Sequence, residues 1–158
     1  MKVLVTGGAG FIASHIVDRL VEQGHDVVVV YNLTTGSEGN LNPQARFYRL
    51  DIRDQTGLAE LFEQERPKVV DHHAAQTDVT RSMRDPKYDA EVNIFGSLNL
   101  IQLSIRYGVS KFIFASTSAA YPEPQYLPVD EKHPIQPLCA YGITKHGVEQ
   151  YLSLYHHE

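Results

Sequence analysis

Short, nearly continuous apolar runs rich in β-branched residues recur along the chain, at Lys2–Thr6, Asp26–Tyr31, Phe47–Leu50, Val69–His73 and Lys111–Ala115. Unbroken rather than alternating hydrophobicity marks strands covered on both faces, the condition of a parallel sheet wrapped by helices. Between these runs the apolar spacing changes to a helical period. It predicts helices over Phe11–Gln23, closed by Gly24; about Gln55–Gln64, closed near Pro67; Lys87–Tyr107, closed by Gly108; and a last one from about Ala140 to the C-terminus. Strands alternating with helices predict an α/β fold with a doubly wound parallel sheet of order 3-2-1-4-5. The segments Asn32–Gln44 and Ser116–Leu138 are rich in Gly, Pro, Asn and Ser and read as long loops at the carboxyl edge of the sheet, where such folds bind ligands.

The first strand runs straight into a glycine turn. Val3 to His15 reads VLVTGGAGFIASH, in which Gly8-x-Gly10-x-x-Ala13 fits the dinucleotide pattern and Gly7-x-x-Gly10-x-x-Ala13 fits the wider spacing of short-chain dehydrogenases. Glycines let the backbone turn sharply and approach a pyrophosphate closely. The open N–H groups and positive dipole end of the next helix attract its charge. The strand before and the helix after give the pattern its specificity and predict a Rossmann-like, NAD(P)-binding domain over residues 1–158.

Composition narrows the partners. With 158 residues and 42% hydrophobic content, the chain supports one domain with a real core. A formal charge of −5 without any basic block argues against nucleic acid and against an anionic membrane surface, and favours a small soluble ligand. Cys139 is the sole cysteine, and the N-terminal MKVLVTGG lacks both the apolar core of a signal peptide and any 18-residue apolar span. A cytoplasmic location is expected.

Further chemistry stands towards the other end. Tyr141-Gly-Ile-Thr-Lys145 places a phenol and an ammonium at i and i+4, on one face of a helix one turn apart. A tyrosine at its usual pKa of ~10 is a poor base at neutral pH, and a neighbouring cation is expected to lower that value. Ser116-Thr117-Ser118 follows the fifth strand directly, which puts a hydroxyl near the carboxyl edge of the sheet.

The glycine turn, the post-strand hydroxyl and the Tyr141/Lys145 pair together resemble the extended short-chain dehydrogenase/reductase family, most closely its UDP-glucose 4-epimerase-like members. The resemblance covers nearly the whole chain through TGGAGFIASH, Asp51-Ile52, His73-Ala74-Ala75-Gln76, Asn93-x-x-Gly96-x-x-Asn99 and YLPVDEKHPIQP. It implies NAD as cofactor, held by Gly7, Gly10, Phe11, Ile12, Tyr31, Asn32, Asp51, Ile52, Ala74, Ala75, Asn93 and Lys145. It also implies a catalytic set of Thr117, Tyr141 and Lys145 acting on a UDP-sugar. Tyr141 would take a proton from the sugar 4-hydroxyl as hydride passes to NAD, Lys145 would hold the nicotinamide ribose and tune Tyr141, and Thr117 would steady the substrate oxygen. The 4-keto sugar would then rotate and receive hydride on its other face. The Thr117-Ser118-Ala119 sequence lacks the carboxylates that resemblance associates with dehydratases and decarboxylases, which favours epimerisation or reduction over elimination. Homodimerisation through the helices at Lys87–Tyr107 and Ala140–His157 is also implied.

Two departures from that pattern stand out. An acidic residue is expected at the end of the second strand, about 20 residues after the glycines, to bind the adenosine ribose. This chain carries Tyr31, a phenol poorly suited to accept two hydrogen bonds from a diol, so weak NAD binding is expected. No Arg or Lys follows it before Arg46 to make NADP an obvious substitute. The second departure is length. Members of the family are about twice as long and use the other half to bind the nucleotide-sugar, so the chain reads as a family member lacking the C-terminal substrate domain. A non-catalytic nucleotide-binding module is the alternative function.

The remaining candidates read as structural. His72 and His73 are adjacent on a strand and point to opposite faces, and His156-His157 sit at a terminus, so no metal site is expected. Asp78, Arg81 and Arg84 read as a solvated loop face, His73 as a packed residue near the cofactor, and Cys139 as a bystander without a base beside it. Asn93 and Asn99 read either as groups that hold backbone or water near the site or as helix-packing residues.

Overall fold

Five parallel strands form one sheet: β1 (Lys2–Thr6), β2 (Asp26–Tyr31), β3 (Arg46–Arg49), β4 (Val69–His72) and β5 (Lys111–Phe114), in the order β3-β2-β1-β4-β5. The computed structural model describes residues 1–121 and 123–156. Among the described residues six α-helices accompany the strands: α1 (Phe11–Glu22), α2 (Gln55–Glu65), α3 (Val79–Arg84), α4 (Pro86–Ala90), α5 (Gly96–Arg106) and α6 (Ala140–His156). The chain divides into two compact units, residues 1–75 with 96–115, and residues 76–95 with 116–158.

The first unit is the doubly wound, Rossmann-like sheet, with the predicted strand order. The apolar runs are buried because both faces of the sheet are covered. Val3, Val5, Val27, Val29 and Val69 point to one face and pack on Ala13 and Val17 of α1. By strand alternation Leu4, Val28, Val30 and Val70 line the other face, and they are fully buried, as are Leu58 and Phe62 of α2 and Leu100 of α5. Asp54 caps α2 by accepting the N–H of Gly57, and Arg66 ends it in the left-handed region at φ 48°.

The second unit is helical. The apolar period at Lys87–Tyr107 predicts one helix, but the backbone runs as α4, a π-helical turn at Glu91–Phe95 and then α5. The π turn coincides with buried Asn93, whose amide bonds to the backbone of Gln76 on both sides, at 2.8 Å to its N–H and 3.1 Å to its carbonyl. The expected solvated loop at Asp78–Arg84 is instead the short helix α3. Asp78 caps it by accepting the N–H of Arg81, and the Arg81 guanidinium lies 4.0 Å from the ring centroid of Tyr88. Six residues with exposed Val79 and Met83 carry too little apolar periodicity to announce a helix. The helix predicted to reach the C-terminus is described to His156; His157 and Glu158 lie outside the described residues. Among the described residues no helix is long and apolar enough to cross a membrane.

Candidate active site

Because all five strands are parallel, the segments that follow them leave from the same edge of the sheet. The glycine turn follows β1, Tyr31 and Asn32 stand at the end of β2, Asp51 and Ile52 follow β3, and Ala74 and Ala75 follow β4. Hydrogen bonds join neighbouring segments. Gly7 N–H donates to Val30 carbonyl at 2.8 Å, Ala74 N–H to Thr6 Oγ1 at 3.1 Å, and Asn32 Nδ2 to Asp51 Oδ2 at 2.9 Å.

The turn can lie against the backbone that follows β4 only because it is glycine. Gly7 adopts φ +80°, and a Cβ there would lie 2.8 Å from the Ala74 nitrogen. Gly10 occupies the N-cap of α1, so no side chain caps the first turn, and Phe11 and Ile12 stand exposed beside it. Helix-terminal N–H groups without a protein cap are what a pyrophosphate requires. The local geometry is therefore compatible with a bound pyrophosphate.

Around it, Asp51 accepts Arg53 Nε and Nη2 at 3.0 and 2.9 Å together with the Asn32 amide. The Arg53 hydrogen bonds hold its carboxyl down at about 2, against the opposing effect of partial burial. Asn99 Nδ2 donates to the carbonyl of Ile52 at 3.1 Å, so this asparagine fixes the backbone beside Asp51. His72 and His73 do diverge. His72 is fully buried between Thr6 Oγ1 at 2.6 Å and Ser97 Oγ at 2.8 Å, whereas His73 Nε2 meets Asp71 Oδ1 at 2.8 Å.

The second unit assembles Thr117, Tyr141 and Lys145. Thr117 opens the 3₁₀ turn Ser118–Ala120, its Oγ1 accepting the Ala119 N–H at 3.1 Å, and it lowers the pKa of the Tyr141 phenol. Tyr141 and Lys145 share α6, as the spacing predicts. Ser82 Oγ accepts the Tyr141 N–H at 3.1 Å, and Cys139 Sγ accepts that of Gly142 at 3.4 Å. Cys139 thus tethers the start of α6.

Electrostatics differ from the expectation of a lowered tyrosine. Burial pushes the Tyr141 phenol up, Thr117 pulls the other way, and the charges of Asp89 and Cys139 add to the rise. Burial also brings the Lys145 ammonium down to about 8, with Glu149 and Asp89 resisting the fall. In this structure desolvation outweighs any help the lysine gives the phenol.

Residues of the NAD dependent epimerase/dehydratase family match positions 3–158. The chain belongs to that family. A putative UDP-glucose 4-epimerase from Methanocaldococcus jannaschii is 49% identical over 97% of this chain and 50% of its own length. The UDP-glucose 4-epimerase of Lacticaseibacillus casei is 41% identical over 95% and 45%. Among solved structures, the Thermotoga maritima UDP-glucose 4-epimerase with UDP-glucose superposes with a TM-score of 0.98 at 48% identity, covering 100% of this chain and 52% of that one. The Thermus thermophilus enzyme in complex with NAD gives 0.94 at 44% identity, covering 98% and 50%. The chain spans about half the length of the curated relatives it matches.

Family membership makes NAD the cofactor and gives the two clusters their context. It does not explain how the second is held. Asp89, Thr144, Asn93 and Gln76, all buried, form a hydrogen-bonded lattice that joins the residue before Lys145 to α4 and the π turn, and of these Asp89 lies outside every motif of the sequence. Asn93 Nδ2 serves Gln76, Asp89 and Thr144 at 3.1, 3.2 and 3.2 Å. A polar residue on the inward face of an apolar helix was the available signal, and Asp89 in KYDAEVNIF carries it.

Proposed function

We propose that this chain carries the cofactor-binding and proton-transferring parts of a nucleotide-sugar epimerase of the UDP-glucose 4-epimerase type. The observation that carries the reading is the half-buried Tyr141 phenol with buried Lys145 one turn along the same helix, while Thr117 draws the phenol's pKa down. Relatives solved with UDP-glucose and with NAD support the substrate class. NAD, when bound, supplies a reversible acceptor of hydride. Gly7, Gly10, Phe11 and Ile12 would hold its pyrophosphate, with Asn32, Asp51, Ile52, Ala74 and Ala75 around them.

The chain's own residues move one proton. Tyr141 Oη takes it from a sugar hydroxyl and later returns it. Thr117 favours the phenolate against the larger opposing effect of burial, and the Lys145 ammonium would supply a positive charge on the same helix face. No carboxylate stands at Ser118 or Ala119, which suits redox inversion rather than elimination.

A homodimer and a cytoplasmic location complete the proposal. Exposed Ile143, Tyr151 and Leu154 form an apolar stripe on α6 that a second copy would cover, and sedimentation of the purified chain tests it. A net charge of −5 and a sole cysteine accord with a reducing, soluble environment.

The decisive experiment incubates the chain with UDP-galactose and NAD. Turnover that Tyr141→Phe abolishes supports the reading. Absence of turnover in both, with NAD still bound, leaves a nucleotide-binding module as the function.

A further inference from the structure

In a dinucleotide fold the acidic residue ending the second strand does two jobs: it accepts hydrogen bonds from the adenosine ribose, and its charge turns away a 2′-phosphate. Tyr31 ends β2 here, about 20 residues beyond the glycine turn. Its ring is fixed in place. A Cβ on Gly10 would lie 3.9 Å from Tyr31 Cε2, and one on Gly36 would lie 2.7 Å from Tyr31 Oη, so the ring is seated between the glycine turn and the returning loop. That loop is pinned to the turn through the Ala9 carbonyl, which accepts Ser37 N–H at 3.3 Å and Asn40 Nδ2 at 3.0 Å. The phenol itself pairs with Thr35 Oγ1 at 2.9 Å.

The surrounding charge is balanced. Asp51, the acid that follows the neighbouring strand, is matched by Arg53 through two hydrogen bonds, and Asn32 links it to the end of β2. Thr34, Thr35 and Ser37 add hydroxyls to the same loop, and its carboxylate, Glu38, lies past Gly36 in the 3₁₀ turn Glu38–Asn40.

We infer that Tyr31 is a specificity-determining residue: it makes the adenosine-ribose subsite indifferent to a 2′-phosphate, so that the chain takes NADP as readily as NAD. NAD loses the acceptor for its diol, and NADP loses the charge that would reject it. The hydroxyls of Tyr31 and Thr35 can donate to either a ribose hydroxyl or a phosphate oxygen. The inference rests on the reading of the glycine turn as a dinucleotide site.

The test is equilibrium binding of NAD and NADP to the intact chain by ligand-observed NMR, with ADP as a control and circular dichroism to verify folding. The two dissociation constants should lie within about tenfold of each other, because no charge separates the ligands. Tyr31→Asp should widen the ratio in favour of NAD by at least about tenfold, and Tyr31→Phe, which keeps the neutral ring, should leave it within about tenfold. A parent ratio above that limit, or a ratio that Tyr31→Asp leaves unchanged, overturns the inference while the dinucleotide site stands. If neither dinucleotide nor ADP binds, the site and the inference fall together.

Discussion

Asp89 Oδ2 accepts the hydroxyl proton of Thr144 at 2.6 Å, a short charge-assisted bond inside the helical unit. Thr144 is the residue before Lys145 and one turn after Tyr141, so this bond fixes the stretch of α6 that carries both. Gln76 Nε2 and Asn93 Nδ2 donate to the other carboxylate oxygen at 2.9 and 3.2 Å. A fully buried carboxylate with three donors is a rigid anchor, and its charge reaches the proposed catalytic pair.

Removing that charge should therefore lower two pKa values together. Asp89 raises both the Tyr141 phenol and the Lys145 ammonium, so Asp89→Asn is expected to bring each down. Titration of the tyrosine Cζ and lysine Cε resonances measures this, and unchanged midpoints in a folded variant would contradict it. Thr144→Val, which strands one carboxylate oxygen, should cost on the order of 1.5–3 kcal/mol in denaturant unfolding.

Lys145 should titrate near pH 8, far below its usual 10.5. Its folded-state value is depressed, so the unfolded chain binds this proton more tightly between those two limits. Stability should rise as pH climbs from about 8 towards 10.5 for this group. Glu149→Gln should push the midpoint lower still, since Glu149 resists the fall.

The two halves of this picture differed in how openly they were written in the chain. VVVV and the glycine turn declare themselves, because a buried parallel strand and a phosphate turn each demand particular residues in unbroken order. Tyr141 and Lys145 were legible for the same reason, through helical spacing. Asp89 and Thr144 were less legible, since a buried polar lattice is made by residues far apart in sequence, and the one local signal was the place of Asp89 among the apolar positions of its helix. The π turn at Glu91–Phe95 was hidden too, because it preserves an apolar helical rhythm while shifting Asn93 onto Gln76. The direction of the Tyr141 shift depends on burial, which spacing alone does not reveal.

Gly7→Ala should damage both folding and the nucleotide site. A Cβ at φ +80° is strained by about 1–2 kcal/mol, and it would also sit 2.8 Å from the Ala74 backbone nitrogen. A fall in unfolding free energy of at least that size is expected from chemical denaturation, with weaker NAD binding measured on the fraction that folds.

Acid should destabilise the sheet through Glu65. This carboxylate, 5% exposed at the end of α2, accepts Tyr48 Oη at 2.6 Å, Lys2 Nζ at 2.9 Å and Arg46 at 3.2 and 3.0 Å. Burial alone would raise its pKa, yet the hydrogen bonds from Tyr48, Lys2 and Arg46 prevail and hold it at about 2, below the usual 4.5. A depressed carboxylate contributes stability that is complete above its unfolded value and is lost as pH falls towards its folded one. Unfolding free energy should accordingly decline from about pH 4.5 to about pH 2. The contribution is no more than about 3 kcal/mol, because Lys2 and Arg46 remain partly open to water and their pull is screened. In Glu65→Gln that decline should flatten while overall stability at pH 7 drops, since the two cations and the Tyr48 hydroxyl lose their shared acceptor. A variant whose acid limb matches the parent's would show that Glu65 does not set it.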